Sequence, residues 1–125
     1  MAGKPWFGLA TVVLDCADAH ALAGFYQRLL GWKVKASEPD WVLLRCPDGG
    51  TGLSFQSEPG YRPPVWPEQV EKQQKMLHLD LRVDDLAEAE AYAVAAGASR
   101  AEFQPQDDVR VLIDPAGHPF CLFLP

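Results

Sequence analysis

Two stretches of the chain are rich in apolar residues with strand-like patterning, and each leads into a stretch with helical spacing. Gly8 to Cys16 is dominated by Val and Leu, and in Met76 to Val83 leucines alternate with polar residues, so both predict strands. After each comes an aspartate suited to cap a helix, then apolar residues at helical spacing, then a glycine. We therefore predict a helix between Asp18 and Gly31 and another over Leu86 to Ala96.

Each helix is followed by short apolar segments that predict three more strands in each half of the chain. In the first half these are Trp32–Val34, Trp41–Arg45 and Gly52–Ser57; in the second they are a strand at Phe103, Val109–Asp114 and Pro119–Leu124. The turn Pro47–Gly50 of the first half has its counterpart in Asp114–His118 of the second. Each half therefore reads as strand, helix and three strands.

The two halves also match each other in sequence. Leu14, Asp18 and Phe25 recur 67 positions later as Leu81, Asp85 and Tyr92. A second match at an offset of 68 places Leu44–Gly49 on Leu112–Gly117 and Phe55 on Phe123, as a one-residue insertion in a loop would do. The period is longer than that of solenoid repeats, so the pattern indicates a duplicated module.

The duplication predicts the organisation of the fold. We expect one α+β domain over residues 1–125, made of two tandem βαβββ modules whose curved mixed sheets surround a cup, with the helices outside. The modules would cover residues 8–57 and 76–125, and a proline-rich connecting loop would cover 58–75. A cleft between repeated halves is a usual place for a small-molecule site.

Composition excludes several classes of partner. The formal net charge is -6, and no Lys/Arg cluster provides a basic patch, so we expect no nucleic-acid partner. No apolar run approaches about 18 residues, so we expect no membrane association. Three cysteines without CxxC spacing favour reduced thiols and a cytoplasmic location.

Two motifs add a family resemblance. The helix end Phe25-Tyr26-x-x-Leu29-Leu30-Gly31-Trp32 and the turn Asp114-Pro115-x-Gly117, within doubled βαβββ modules, resemble the vicinal oxygen chelate superfamily. That superfamily includes glyoxalase I, extradiol dioxygenases, fosfomycin-resistance enzymes and bleomycin-resistance proteins, and the chain is most similar to its small bacterial glyoxalase-like members. The resemblance implies the glyoxalase/bleomycin-resistance fold and a homodimer with cups near the subunit interface.

The resemblance also implies where a metal would bind. Metal-dependent members take one ligand from each first strand and one from each last strand of the two modules, and these positions fall here on Thr11, Leu53, His78 and Cys121. Leu53 cannot ligate a metal and Thr11 is a poor ligand, while Asp80 lies about 7 Å along the strand from His78. Catalytic metals generally need about three protein ligands. We therefore expect no metal and no cofactor, and keep a divalent metal as the less favoured alternative.

The family geometry predicts a largely apolar cup with a few polar groups. Its inward positions are Thr11, Val13, Leu53, Phe55, His78, Asp80, Cys121 and Phe123. Such a lining suits a mostly apolar molecule held by one or two hydrogen bonds. Trp66 in the connecting loop is either a lid over the cup, a dimer contact or a surface side chain, and His20 and His118 are expected to be solvated.

Three interpretations remain open at this point, one of them an accessory module whose cup is vestigial. The first is a metal-independent binder of a small, largely apolar molecule in the cup. The alternative is a superfamily enzyme, a lyase, isomerase or dioxygenase, that is either metal-dependent or uses His78 as an acid/base oriented by Asp80. Cys121 is either a small apolar side chain or the nucleophile of a Cys-His couple.

Overall fold

Each half of the chain forms a strand, a helix and three further strands in the computed structural model, which describes residues 3–125. The first half contains β1 (Thr11–Cys16), α1 (Ala19–Leu30), β2 (Lys33–Glu38), β3 (Trp41–Arg45) and β4 (Gly52–Ser57). The second half contains β5 (Leu79–Arg82), α2 (Leu86–Ala96), β6 (Ser99–Arg100), β7 (Val109–Ile113) and β8 (Pro119–Phe123).

The strands form two four-stranded sheets with the same topology, ordered β1-β4-β3-β2 and β5-β8-β7-β6. In each sheet the first and last strands of the half run parallel, and the remaining neighbours run antiparallel. The predicted α+β fold of two βαβββ modules is therefore confirmed. Neither helix within residues 3–125 is long and apolar enough to cross a membrane.

Both helices begin and end where their capping residues predict. The Asp18 carboxylate accepts hydrogen bonds from the first-turn amides of α1, and the Asp85 carboxylate accepts one from the Glu88 amide of α2. Gly31 ends α1 with a φ of 73°, a conformation that suits a residue without a Cβ. The helix bounds therefore coincide with the capping residues that the sequence indicates.

One predicted strand is replaced by a side-chain contact. No strand forms at Phe103, and the second strand of the module is reduced to the two residues of β6. Next to β7, the amide side chain of Gln104 both accepts a hydrogen bond from the Val111 N–H and donates one to the Val111 carbonyl, each 2.8 Å long. The side chain of Gln104 therefore pairs the Val111 N–H, which a neighbouring strand would otherwise satisfy, and shares the Val111 carbonyl with the backbone N–H of Ala101.

One face of each sheet packs on the helices, and the two packed faces share a single core. Phe25 of α1 contacts Phe120 of β8, with ring centroids 6.0 Å apart, and Arg28 donates hydrogen bonds to the Ala96 carbonyl at the end of α2. The core therefore crosses the module boundary. We call the sheet faces that point away from the helices the open faces.

Candidate functional site

The register of β4 moves two expected cup residues to the other side of the first sheet. Leu53 pairs with Val12 of β1 and Phe55 pairs with Leu14, and both Leu53 and Phe55 are buried in the core. The Phe55 ring stacks on Tyr26 of α1 with centroids 5.4 Å apart. The prediction that Leu53 and Phe55 line the cup was therefore wrong, because these side chains belong to the helix-facing core.

The error comes from a one-residue difference between the turns. In the first sheet Leu44 pairs with Leu53, whereas in the second Leu112 pairs with Phe120, so the first turn is one residue longer. A shift of one residue moves a side chain to the opposite face of a strand. The open-face counterpart of Cys121 is consequently Ser54. The doubled glycine of the first turn was the signal that could have indicated the extra residue.

The open face of the first module presents a pair of hydroxyls. Thr11 Oγ1 and Ser54 Oγ share a hydrogen bond of 2.8 Å. Ser54 is fully buried, while Val13, its partner on β1, is exposed. This module therefore offers two neutral oxygens, already bonded to each other, at the positions where the superfamily resemblance places metal ligands.

The open face of the second module presents three groups of different chemistry. The His78 Nε2 lies 3.1 Å from Asp80 Oδ1, and Asp80 pairs across the strands with Cys121. One ligand atom from each residue lies within 4.8 Å of the other two. Burial, together with the charge and hydrogen bond of Asp80, raises the pKa of the Cys121 thiol, which disfavours a free thiolate nucleophile.

The count of potential metal ligands is thus higher than the sequence indicated. The strand spacing predicted that Asp80 and His78 are too far apart to share an ion. In the structure their side chains approach each other, and His78 Nε2 contacts Asp80 Oδ1. A site bridging both modules does not fit, because Thr11 and Ser54 supply only neutral hydroxyls. The nitrogen, oxygen and sulfur donors all come from the second module.

A cavity of about 590 Å³ lies between the modules. Its walls come from the second half of β1, from the residues that lead into β5, and from the connecting loop. Val13 and His78 contribute to the lining from the two modules, and Tyr61 contributes from the connecting loop. This volume lies within the range of about 300–1,000 Å³ that is typical of small-molecule sites.

Other expected cup residues lie elsewhere. Trp66 packs against Phe103, with ring centroids 6.0 Å apart and an indole hydrogen bond of 3.3 Å to the Phe103 carbonyl, so it does not line this cavity. Thr11, Cys121 and Phe123 lie on the open faces rather than in the cavity lining. The predicted residues therefore do not form one site: Val13 and His78 line the cavity, Leu53 and Phe55 lie in the core, and the others lie outside both.

A buried polar network, which the sequence did not predict, lies at the edge of the cavity. The fully buried Asp114 carboxylate accepts hydrogen bonds from Tyr26 Oη at 2.8 Å and from His118 Nδ1 at 2.9 Å, as well as from backbone amides. The other ring nitrogen of His118 lies 3.2 Å from Tyr61 Oη. Burial and the Asp114 charge raise the pKa of both tyrosines, so both phenols remain protonated donors.

The expectation of a solvated His118 was therefore wrong. Its side chain is only 15% exposed, because it is held between Asp114 and Tyr61. The spacing of Asp114 and His118 across a tight turn was the available signal, since the turn itself brings the two side chains together. Tyr61 could not be placed from sequence, because the proline-rich loop that carries it has no periodic pattern.

The paired βαβββ modules, with a cavity at their junction, define the chain as a member of the vicinal oxygen chelate superfamily. Within it, the chain belongs to the glyoxalase-like domain family, whose sequence model matches residues 11–123. A comparison with curated protein sequences gives no match.

Solved structures of similar fold come from several bacteria. A glyoxalase/bleomycin resistance protein/dioxygenase family enzyme from Burkholderia phytofirmans PsJN is 19% identical, with a TM-score of 0.69 over 94% of this chain and 98% of that one. A glyoxalase family protein from Enterococcus faecalis is 22% identical, with a TM-score of 0.66 over 90% and 94%. A lactoylglutathione lyase from Agrobacterium tumefaciens is 17% identical, with a TM-score of 0.62 over 97% and 96%. At these identities the similarity establishes the fold.

Proposed function

We propose that this chain binds a small, largely apolar molecule in the cavity between its modules, and that binding requires no metal ion. The observation that carries the proposal is the cavity itself, whose volume of about 590 Å³ suits a drug-sized ligand. Both modules and the connecting loop contribute to its walls, so a bound molecule would contact residues of all three segments.

The chemistry of the cavity walls supports a ligand with an apolar body and a polar end. Val13, Met76 and Leu77 provide apolar surface, and the imidazoles of His78 and His118 lie among several charged and amide side chains in the rest of the lining. Polar groups fix the orientation of a ligand in such a site, while the apolar surface contributes affinity. Metal independence is supported by the first module, where Thr11 occupies the position of an expected ligand.

A fluorescent apolar anion, anilinonaphthalene sulfonate, provides a direct test in the presence of a chelator. We expect saturable binding to the wild-type chain and a loss of affinity of about tenfold or more in Val13→Trp, since the added ring would occupy the cavity. Val34→Trp is the matched control, because Val34 is similarly exposed but does not line the cavity. Equal binding by both variants, or binding that disappears with the chelator, would contradict the proposal.

The proposal includes a homodimer. Trp6, Phe7 and Leu9 lie in the extended segment before β1, with exposed fractions of 87%, 76% and 72%. Apolar side chains concentrated in this way are typical of a surface that binds another protein. A second copy of the chain is the partner that we propose, in agreement with the family resemblance.

A cytoplasmic location is also part of the proposal. Cys16, Cys46 and Cys121 are all free thiols in the structure. Unpaired cysteines are typical of proteins in reducing compartments.

The contact between His78 and Asp80 favours a second candidate, an enzyme that moves a proton. A carboxylate 3.1 Å from the imidazole orients it as a general acid/base requires. The test is solvent-deuterium exchange next to the carbonyl group of a panel of small ketones and aldehydes, followed by NMR. His78→Gln should abolish exchange while His20→Gln leaves it unchanged, and equal exchange in the two variants would reject this role.

A further inference from the structure

We infer that the second module alone binds a divalent metal ion of the zinc class through His78, Asp80 and the thiolate of Cys121. The inference concerns the open face of the second sheet and goes beyond the proposed function, which places an organic ligand in the cavity without a metal. It also differs from the arrangement that the family resemblance implies, in which both modules supply ligands.

The positions of the donor atoms carry the inference. One ligand atom from each of the three residues lies within 4.8 Å of the others, and His78 Nε2 is already 3.1 Å from the Asp80 carboxylate. Donors around a tetrahedral zinc ion are separated by about 3.5 Å, as follows from bond lengths of about 2.0–2.3 Å. The three atoms therefore need to move by about an ångström to enclose an ion.

The sheet fixes the backbone separation of two of the three residues, and the exposed side chains remain adjustable. Asp80 and Cys121 face each other across the parallel pair of β5 and β8, so their separation is set by the sheet. The His78 and Asp80 side chains are 38% and 59% exposed, which leaves both free to rotate towards an ion. Closing the site thus requires side-chain rotation without a change in the sheet.

The chemistry of the donors selects the metal. Imidazole nitrogen, carboxylate oxygen and thiolate sulfur together suit zinc or cobalt, whereas magnesium and calcium require oxygen ligands. On binding, the Cys121 thiol transfers its proton to solvent, and the thiolate and the Asp80 carboxylate neutralise the two charges of the ion. Three protein ligands leave one coordination position open.

The first module provides an internal comparison. At the repeat-equivalent positions it has Thr11 for His78, Val13 for Asp80 and Ser54 for Cys121. Its two hydroxyls are neutral and already share a hydrogen bond. One fold element therefore occurs twice in the chain, once with a complete donor set and once without one.

Titration of the chelator-treated, fully reduced chain with cobalt(II) tests the inference. We expect one ion per chain, a thiolate-to-cobalt absorption band in the near ultraviolet, and displacement by zinc but not by magnesium. The band should disappear in Cys121→Ser and remain in Cys46→Ser, the control for a thiol whose carboxylate neighbour is Asp48. His78→Ala and Asp80→Asn should each weaken binding by at least about tenfold, and Thr11→Val should not change it.

Three results would overturn the inference: no stoichiometric binding to the wild-type chain, an unchanged band in Cys121→Ser, or equal affinity in all variants. Circular dichroism of each variant verifies that the fold is retained, and the exposed positions of His78 and Asp80 make this the expected result. Because binding of the fluorescent anion is measured with a chelator present, failure of the metal site and failure of the cavity proposal are distinguishable.

Discussion

The phenol of Tyr26 in α1 donates a hydrogen bond of 2.8 Å to the carboxylate of Asp114, which lies 88 positions further along the chain. The two residues belong to different modules, and both are buried. This bond therefore joins the modules through the core, at the edge of the cavity. It is a polar counterpart to the contact of Phe25 with Phe120.

Removing this hydroxyl should destabilise the whole domain. Tyr26→Phe leaves a buried carboxylate with one donor fewer, and we expect a loss of about 1–3 kcal/mol in the free energy of unfolding, measured by urea denaturation. The control is Tyr92→Phe, since Tyr92 is exposed and its hydroxyl bonds only to a carbonyl of α1. Equal losses in the free energy of unfolding for the two substitutions would show that the bond to Asp114 does not stabilise the fold more than an exposed hydrogen bond.

Alanine substitutions at Gly117 and Gly31 distinguish the free-energy cost of backbone strain from that of a steric clash. Both have positive φ, 95° and 73°, but a Cβ on Gly117 would lie 2.7 Å from the Cβ of Pro63, whereas one on Gly31 meets nothing within 4 Å among residues 3–125. Gly31→Ala should cost about 1–2 kcal/mol. Gly117→Ala should cost about 1–3 kcal/mol more, because the connecting loop must move away.

The same pair of variants tests the role of the loop in the cavity. Displacing Pro63 should also move Tyr61, which lines the cavity and bonds to the Ala116 carbonyl. We expect weaker binding of anilinonaphthalene sulfonate in Gly117→Ala and unchanged binding in Gly31→Ala. Unchanged binding in both would mean that the loop position does not control the cavity.

Stability should fall at alkaline pH because of Cys16. Burial is the main cause that raises the pKa of its thiol from 9.0 to about 11. Between these values the unfolded chain loses the thiol proton while the folded chain retains it, so the folded state is favoured below about pH 9 and this advantage disappears as the pH rises towards 11. The loss should be roughly 2 kcal/mol.

The measurement is the free energy of unfolding of wild type and Cys16→Ala across this pH range. We expect the difference between the two proteins to narrow as the pH rises, since the variant lacks the titrating thiol. The buried Tyr26 titrates in both proteins and cancels in the comparison. Parallel pH profiles would contradict the assignment to Cys16.

The proposed dimer is tested at the exposed arm, the extended segment before β1 that carries Trp6, Phe7 and Leu9. The double substitution of Trp6→Ser and Phe7→Ser should raise the dimer dissociation constant by at least about tenfold, because the buried apolar area is lost. Analytical ultracentrifugation provides the measurement, and Val70→Ser, at an exposed position outside the arm, is the control. A wild-type chain that remains monomeric at high concentration would refute the interface.

Local signals in the sequence predicted the helices and the topology well. Asp18, Asp85 and Gly31 mark helix ends because caps depend on nearby backbone groups, which are determined by sequence distance. The duplication then gave the order of elements in both modules. These features depend on interactions within a few residues, or on a repeat that can be counted directly.

The candidate site was harder to predict because it depends on register and rotamers. A single extra residue before β4 exchanged Leu53 for Ser54 on the open face, and side-chain rotation brought Asp80 to His78 despite the strand spacing. The position of His118 depends on a partner in the connecting loop, Tyr61. None of these outcomes follows from local composition.

The shared core also has a consequence for the origin of the chain. The contact of Phe25 with Phe120 means that each module covers apolar surface that the other would leave open to water. An ancestral single module would have buried this apolar surface by associating with an identical copy. Fusion of the two genes would have made that concentration-dependent association intramolecular. A linked pair experiences an effective concentration on the order of millimolar. After fusion the two copies no longer had to stay identical, and here one carries a cluster of histidine, aspartate and cysteine while the other carries hydroxyls.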